Sequence, residues 1–361
     1  MTGSGPISLA EAETLVRAAV ERPLPVEELS LESCHGRRLA ADHLAPTPWP
    51  TTDRSAMDGF AVRAGAAGLA AGTLLRVVGE CLAGHPFDGV VADGEAIRIM
   101  TGAVVPASVD AVVPVENTSG YAGSEVTLSQ GATAGDHIRP QGSELAAGAT
   151  VLSAGTRIRA AEIGVLAVLG QSRVGVYRRP RVAIVSTGDE VVPVDREPAP
   201  HQVRDSNSYA LAAQVHENGG EPQRLGVAPD ADEPLRAFLD RALADADVVL
   251  TIGGVSKGTH DLVRDALRAL GVAERFWGIA LKPGKPTYFG AADRADGRKL
   301  VIGLPGNPAS CFTVFDLLVR PLLARLGGAP LEAPSPATVA LGASSGAPPS
   351  RARSGRTSKS N

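Results

Sequence analysis

The sequence predicts an α/β protein of more than one domain. Three observations carry that expectation. From Arg181 onward, continuous apolar runs alternate with helix-patterned stretches, as in a mostly parallel sheet covered on both faces by helices. Between residues 45 and 142, short apolar runs are separated by glycine and proline, the texture of a small β-rich domain. The chain has 361 residues, enough for two or more domains.

Each element has its own sequence reason. Ser8-Leu9-Ala10-Glu11 has capping-box spacing, and Leu9, Val16 and Val20 recur at roughly helical intervals, so a helix opens the chain. The runs 75–78, 96–100, 111–115 and 126–128 predict the strands of the β-rich domain. Residues 160–169 predict a short helix stopped by Gly170. Val182-Ala183-Ile184-Val185 reads as a strand buried on both faces. A helix over 207–217 ends before Gly219-Gly220, a strand lies near 224–227, and a helix spans 233–243. A second buried strand covers Val248-Val249-Leu250-Thr251-Ile252, followed by a helix near 261–270. Leu300-Val301-Ile302 is a third buried strand, and 309–326 is the last long helix. After Glu332 there is no acidic residue, while Arg351, Arg353, Arg356 and Lys359 sit among proline, serine, alanine and glycine. That composition predicts a disordered basic tail over 329–361.

Composition narrows the function. Hydrophobic residues make up 44% and charged residues 20%, as in ordinary globular chains, and the net charge of -4 argues against nucleic-acid binding through bulk charge. Cys34, Cys81 and Cys311 are far apart and form neither a zinc spacing nor a disulfide framework, so a reducing, cytoplasmic location is expected. The N-terminus shows no basic region followed by an apolar core, so no signal peptide is expected. The most apolar long window, 311–326, is broken by Asp316, Arg320 and Pro321, too short and too charged to span a bilayer.

The chemistry gathers at turns. In Lys282-Pro283-Gly284-Lys285-Pro286, prolines fix φ, glycine permits unusual φ, and two ammonium groups stand on a stiff platform. Each buried strand is followed by a polar, glycine-bearing turn: Ser186-Thr187-Gly188-Asp189-Glu190, Gly253-Gly254-Val255-Ser256, and Gly303-Leu304-Pro305-Gly306-Asn307-Pro308. Glycine lets backbone approach a phosphate, and turn or helix-start N–H groups form an anion nest. In open α/β sheets ligands bind beyond the strands' carboxyl ends. Glu190, Asp230 and Asp261 flank these turns, and carboxylates beside a phosphate site are how Mg²⁺ is usually held. The plain alternatives are a proline-stiffened loop pair and acids that cap helices; Asp261, just before a helix, reads either way. His260, a lone histidine beside a turn, reads as structural. No Walker A string, dinucleotide fingerprint or nucleophile elbow is present, which argues against an ordinary ATPase or a nicotinamide dehydrogenase. The β-rich stretch holds a further polar cluster, Thr52-Asp53-Arg54-Ser55-Ala56-Met57-Asp58-Gly59-Phe60-Ala61.

Six ordered strings together resemble the molybdopterin molybdenumtransferase family, which includes the C-terminal domain of gephyrin. They are Ser55-Ala56-Met57-Asp58-Gly59-Phe60, Met100-Thr101-Gly102-Ala103, Val185-Ser186-Thr187-Gly188-Asp189-Glu190, Gly253-Gly254-Val255-Ser256, the Lys282 to Pro286 turn, and Leu304-Pro305-Gly306-Asn307-Pro308. The match runs to about residue 328.

The resemblance implies a three-layer α/β/α molybdopterin-binding domain (178–328), a β-rich domain (46–144), a small linking domain (26–45 and 145–177) and an N-terminal helix (1–25). It implies an enzyme that inserts molybdate into adenylated molybdopterin with Mg²⁺ and releases AMP. Asp58, Thr101, Glu190, Asp261, Lys282 and Lys285 would be catalytic. Ser186, Thr187, Gly188, Asp230, Gly253, Gly254, Ser256, Pro305, Gly306 and Asn307 would bind the pterin nucleotide, and Glu190, Asp230 and Asp261 the metal. A homodimer with an active site shared between chains is implied, and a contact with a molybdopterin adenylyltransferase.

The chain departs from the family pattern at Gly278, where many relatives carry a basic residue, and at Ser143-Glu144 after Gly142. No counterpart of the family's C-terminal β-domain is expected in 329–361, which keeps open a non-catalytic molybdopterin-binding or scaffold protein. A third reading, a nucleotide-pyrophosphate hydrolase or pterin adenylyltransferase, uses the α/β domain alone and leaves Asp58 and the lysine turn unexplained.

Overall fold

The computed structural model describes residues 5–254 and 262–330. The predicted basic tail beyond Pro330, together with Ser256, His260 and Asp261, lies outside the described residues. The chain divides into two compact units, Met1–Ala41 with Ala154–Asn361, and Asp42–Ser153. The second is inserted into the sequence of the first.

The larger unit is built on a six-stranded sheet in the order Glu221–Ala228, Arg181–Thr187, Val248–Ile252, Gly297–Leu304, Tyr288–Arg294, Ala273–Trp277. The first four are parallel, with Val182 opposite Val248 and Val248 opposite Leu300. The last two run antiparallel. Alternate residues serve opposite faces, because side chains along a strand alternate. Val182, Ile184, Val248, Leu250 and Ile302 share one core with Leu211 and Val215 of the helix Asn207–Glu217 and with Ala12 and Val16 of the helix Leu9–Ala18. Ala183, Val185, Val249 and Val301 share the other with Leu235, Leu239 and Leu243 of the helix Asp232–Asp245 and with Val263 and Leu267 of Leu262–Ala269. The result is the expected three-layer α/β/α arrangement. Ile184 is fully buried, and truncating such a residue to alanine costs about 2–5 kcal/mol.

Local rules explain the ends. Ser8 accepts from the Glu11 N–H at 3.2 Å while Glu11 accepts from the Ser8 N–H at 2.8 Å, the capping box read from sequence. Gly170 takes a positive φ of 74° just past the helix Ala160–Val168.

Two details depart from expectation. The last helix is not continuous: Pro308–Val314 widens into a π-turn over Phe315–Val319 before Arg320–Leu326 resumes. Pro321 has no N–H to donate to the preceding turn and its ring crowds a carbonyl there, so the ladder loosens just before it. The antiparallel strands Tyr288–Arg294 and Ala273–Trp277 extend the sheet beyond the predicted parallel strands.

The inserted unit is a five-stranded sheet in the order Ala111–Pro114, Gly59–Val62, Glu95–Ile99, Leu74–Cys81, Glu125–Thr127. Phe60, Val62, Ala96 and Val113 fill one face, Ala61, Ile97, Ile99 and Val112 the other. A Cβ on Gly59 would lie 2.0 Å from the Val113 carbonyl oxygen, so only glycine allows that strand approach. All three cysteines are buried and unbridged, and burial pushes the Cys311 thiol up to about 12.

Candidate functional site

The carboxyl ends of the parallel strands form one rim of the larger unit. Thr187 ends Arg181–Thr187, and its buried hydroxyl donates to the Ile252 carbonyl at 3.0 Å, tying two strand ends together. Gly253 and Gly254 follow with φ of 82° and 65°. A Cβ on Gly253 would stand 3.0 Å from the Thr187 carbonyl oxygen, and one on Gly254 2.9 Å from the Thr187 hydroxyl. Bare backbone is therefore a packing requirement here as well as a way of bringing N–H groups close to an anion.

The third strand end is fixed in a different way. The Asn307 side chain accepts from the Ser310 N–H at 3.3 Å and caps the helix Pro308–Val314, with proline at its first turn. Asn207 donates to the Gly306 carbonyl at 2.7 Å, and the Gly253 N–H donates to the Leu304 carbonyl at 3.0 Å. Thr187, Gly253, Gly254 and Gly306 thus meet where the three strands end.

The lysine turn joins the same rim. It leads into Tyr288–Arg294, whose first residue stands opposite Gly303 near the end of Gly297–Leu304. The buried Thr287 hydroxyl donates to the Gly284 carbonyl at 2.7 Å, and the Ile279 and Thr287 N–H groups both donate to the Lys285 carbonyl at 3.0 Å. Gly284 is buried with φ 123°, and a Cβ there would stand 2.9 Å from Leu281 and Val314, so the turn is seated on the core. Lys282 and Lys285 are exposed, and neither ammonium has a hydrogen-bond or ion-pair partner among the described residues.

Acids stand at two further positions. Partial desolvation raises the Asp230 carboxyl above its ordinary value; the negative charges of Asp189 and Glu190 add to the rise and the Asp189 N–H opposes it. Asp230 therefore lies within the field of Asp189 and Glu190. Among the described residues no group of three or more acidic, histidine or cysteine side chains is placed to hold a metal ion, and Asp261, expected as the third ligand, is not among them. Ser186, expected at the pterin site, has a buried hydroxyl with no hydrogen-bond partner.

In the inserted unit, Asp58 and Thr101 are brought together. The Thr101 N–H and hydroxyl both donate to one Asp58 carboxylate oxygen at 2.7 Å. These two bonds hold the Asp58 carboxyl below its ordinary range, the backbone donor contributing most. Tyr121 packs on Phe60 with ring centroids 5.4 Å apart, and its hydroxyl is raised by burial and then by Asp58 and Glu116. Sequence reading passed over Tyr121; no turn chemistry or spacing marked it.

The two halves of the chain match two family models. Residues 7–170 match the MoeA N-terminal region (domain I and II), and 183–325 match a probable molybdopterin binding domain. A curated relative named molybdopterin molybdenumtransferase, from Nostoc sp., is 39% identical over 305 residues, covering 84% of this chain and 70% of its own. The chain belongs to the molybdopterin molybdenumtransferase family.

Other family members agree. Molybdopterin molybdenumtransferase 2 of Mycobacterium tuberculosis is 38% identical over 317 residues, covering 86% of this chain and 76% of its own. A crystal structure of the molybdopterin biosynthesis moeA protein from Pyrococcus horikoshii superposes with a TM-score of 0.77 at 28% identity, covering 90% of this chain and 80% of that one. A second moeA structure from that genus gives 0.74 at 35% identity, covering 89% and 80%. The fold read from sequence is therefore the family's fold.

Proposed function

We propose that this chain is a molybdopterin molybdenumtransferase of molybdenum cofactor biosynthesis, inserting molybdate into adenylated molybdopterin with release of AMP. One observation carries the reading. Two lysines without a partner among the described residues stand on a core-seated turn on the same sheet rim as the glycine strand ends. Substrate and cargo are both anions, and the pterin itself brings the sulfur that molybdenum needs, so no thiol of the protein is required.

Each residue then has a task. Lys282 and Lys285 neutralise charge that develops on phosphoryl and molybdate oxygens, which fixed charges do without reorganising. Gly253, Gly254 and Gly306 admit the pyrophosphate close to backbone, with Pro305 and Asn307 setting the helix start beside it. Thr187 holds the strand ends in register. Gly188 and Ser256 complete the proposed nucleotide contacts. Asp58, ionised by the two donors on Thr101, supplies a fixed carboxylate from the inserted unit.

Mg²⁺ suits the acids by donor chemistry, since a hard cation prefers carboxylate oxygens and would offset the repulsion that Asp189 and Glu190 exert on Asp230. When bound it supplies Lewis-acid polarisation of a phosphoryl oxygen, and Glu190, Asp230 and Asp261 would hold it. A cytoplasmic homodimer with an active site shared between chains, contact with a molybdopterin adenylyltransferase, and the finer division into 1–25, 26–45 with 145–177, 46–144 and 178–328 belong to the same proposal. The binding-only alternative gains no support from the relatives, whose names are those of transferases.

The test is AMP release by purified protein given adenylated molybdopterin. Release only when both molybdate and Mg²⁺ are present is the expected result. Tight pterin binding without AMP would sink the transferase reading and leave a binding protein.

A further inference from the structure

A second basic feature lies at the other end of the same sheet. The segments that meet there are the residues before the strand Arg181–Thr187, the end of the helix Asn207–Glu217 and the last helix, Arg320–Leu326. Between them is a cavity of ≈ 80 Å³ whose wall carries Arg37, Arg38, Arg157, Arg178, Arg179 and Arg320, with Tyr177 and Asn218. Among the described residues no carboxylate lines it. Its position follows from the sheet: Arg178 and Arg179 lie just before Pro180-Arg181, where the strand begins, whereas the glycine turns follow the strand's last residue.

Most of the charge is fixed in place. Arg37 is only 8% exposed, ion-paired to Glu27, and donates to the Tyr177 carbonyl at 2.6 Å. Arg178 makes a two-pronged pair with Asp247 at 2.9 Å on each arm. Arg38 donates to the Gly155 carbonyl at 2.8 Å. Arg320 pairs with Asp316 at 3.6 Å. Arg157 and Arg179, by contrast, have no side-chain hydrogen bond or ion pair among the described residues. Two guanidinium groups are thus gathered beside four others with nothing to balance them. A carbonyl-capping role does not account for them, and Asn218 already satisfies its helix end by donating to the Gln214 carbonyl at 2.8 Å. Like charges crowded in a concave, partly desolvated wall repel one another, and an anion removes that cost.

We propose that this cavity is an oxyanion site separate from the lysine rim, taking one tetrahedral dianion: phosphate, sulfate or molybdate. The volume is enough for a few waters or one such ion. Planar guanidinium forks match the edge of a tetrahedral oxyanion, with two N–H donors to two oxygens. The inference is independent of the proposed transferase activity.

The experiment is titration calorimetry on the full chain carrying Lys282→Ala and Lys285→Ala, which removes the rim as a competing anion site. Phosphate, sulfate and molybdate are titrated separately at an ionic strength held constant with sodium chloride. One saturable site per chain is expected for at least one of the three, and the arms show which oxyanion it prefers. Adding Arg157→Gln and Arg179→Gln should weaken that binding about tenfold or more, because charge-assisted hydrogen bonds are lost. Neither arginine has a partner to forfeit, so the melting temperature of the anion-free protein should stay put. Absence of saturable binding for all three ions overturns the proposal. So does equal binding with and without the two arginines.

Discussion

The Thr187 hydroxyl makes a single buried bond at the centre of the rim, and its removal is calculable. Thr187→Val keeps the volume and the branched shape but removes the donor to the Ile252 carbonyl. Thr187 is 3% exposed, so water does not replace the donor. Leaving a buried acceptor short costs about 1–3 kcal/mol. Thr187→Ser makes the opposite trade: it keeps the donor and loses one buried methyl, worth about 0.8 kcal/mol. The valine variant should therefore be the less stable of the two. For a unit of this size, each kcal/mol moves the midpoint by about 2–4 °C, which puts the valine variant about 2–12 °C below the parent. Scanning calorimetry on all three proteins reads the order. The same hydroxyl lies under Gly253 and Gly254, so AMP release should fall further in the valine variant than in the serine one. A valine variant as stable as the parent, or more stable than the serine variant, refutes the idea that this bond holds the strand ends.

Thr251 offers the contrast: its hydroxyl is fully buried without a hydrogen-bond partner, so Thr251→Val should be neutral or raise stability by about 1 kcal/mol, measured by urea unfolding. Lys282→Ala with Lys285→Ala should leave the melting temperature unchanged, since both side chains are exposed and partnerless, yet abolish molybdate-dependent AMP release while pterin binding persists; equal loss of pterin binding would assign the turn to phosphate instead. Asp58 has a lowered folded pKa, so its contribution to stability is complete above the unfolded value near 3.8 and is lost as pH falls through the folded one. Carboxyl NMR should find Asp58 titrating below the ordinary aspartate range, and Thr101→Ala should move it upward.

What the sequence revealed, and what it hid, follows from the range of each interaction. The helix Asn207–Glu217 matched its predicted span because its boundaries are set locally: the Asp205 carboxylate accepts from the Ser208 N–H at 3.1 Å at its start, and Asn218 and Gly219 end it. The doubly buried strands were legible because three to five consecutive, almost wholly apolar residues have few other uses. The edge strand Ala273–Trp277 and its neighbour Tyr288–Arg294 were missed: the first is polar along its exposed side, and the second contains Gly290. The Asp296-Gly297 pair was a hairpin signal beside them. The lysine turn and strand-end glycines could be found because each is one contiguous string. The arginine cavity could not. Its wall comes from separate stretches around residues 37, 157, 178 and 320, and only the doublets at 37–38 and 178–179 hinted at it.

The insertion of one unit inside the other sets the order of synthesis. Residues Val26–Ser30 find their strand partner in Arg173–Tyr177, after the whole of Asp42–Ser153 has been made. Ala12 and Val16 share a core with Leu322 and Leu323, so the opening helix waits for nearly the last described residues. The inserted unit has all its strands in hand as soon as it leaves the ribosome. It is free to fold first, while the first 41 residues remain an unpaired, apolar-faced segment in search of a distant partner. Pairing across such separations is slow, and it is in that interval that the nascent chain is most exposed to aggregation.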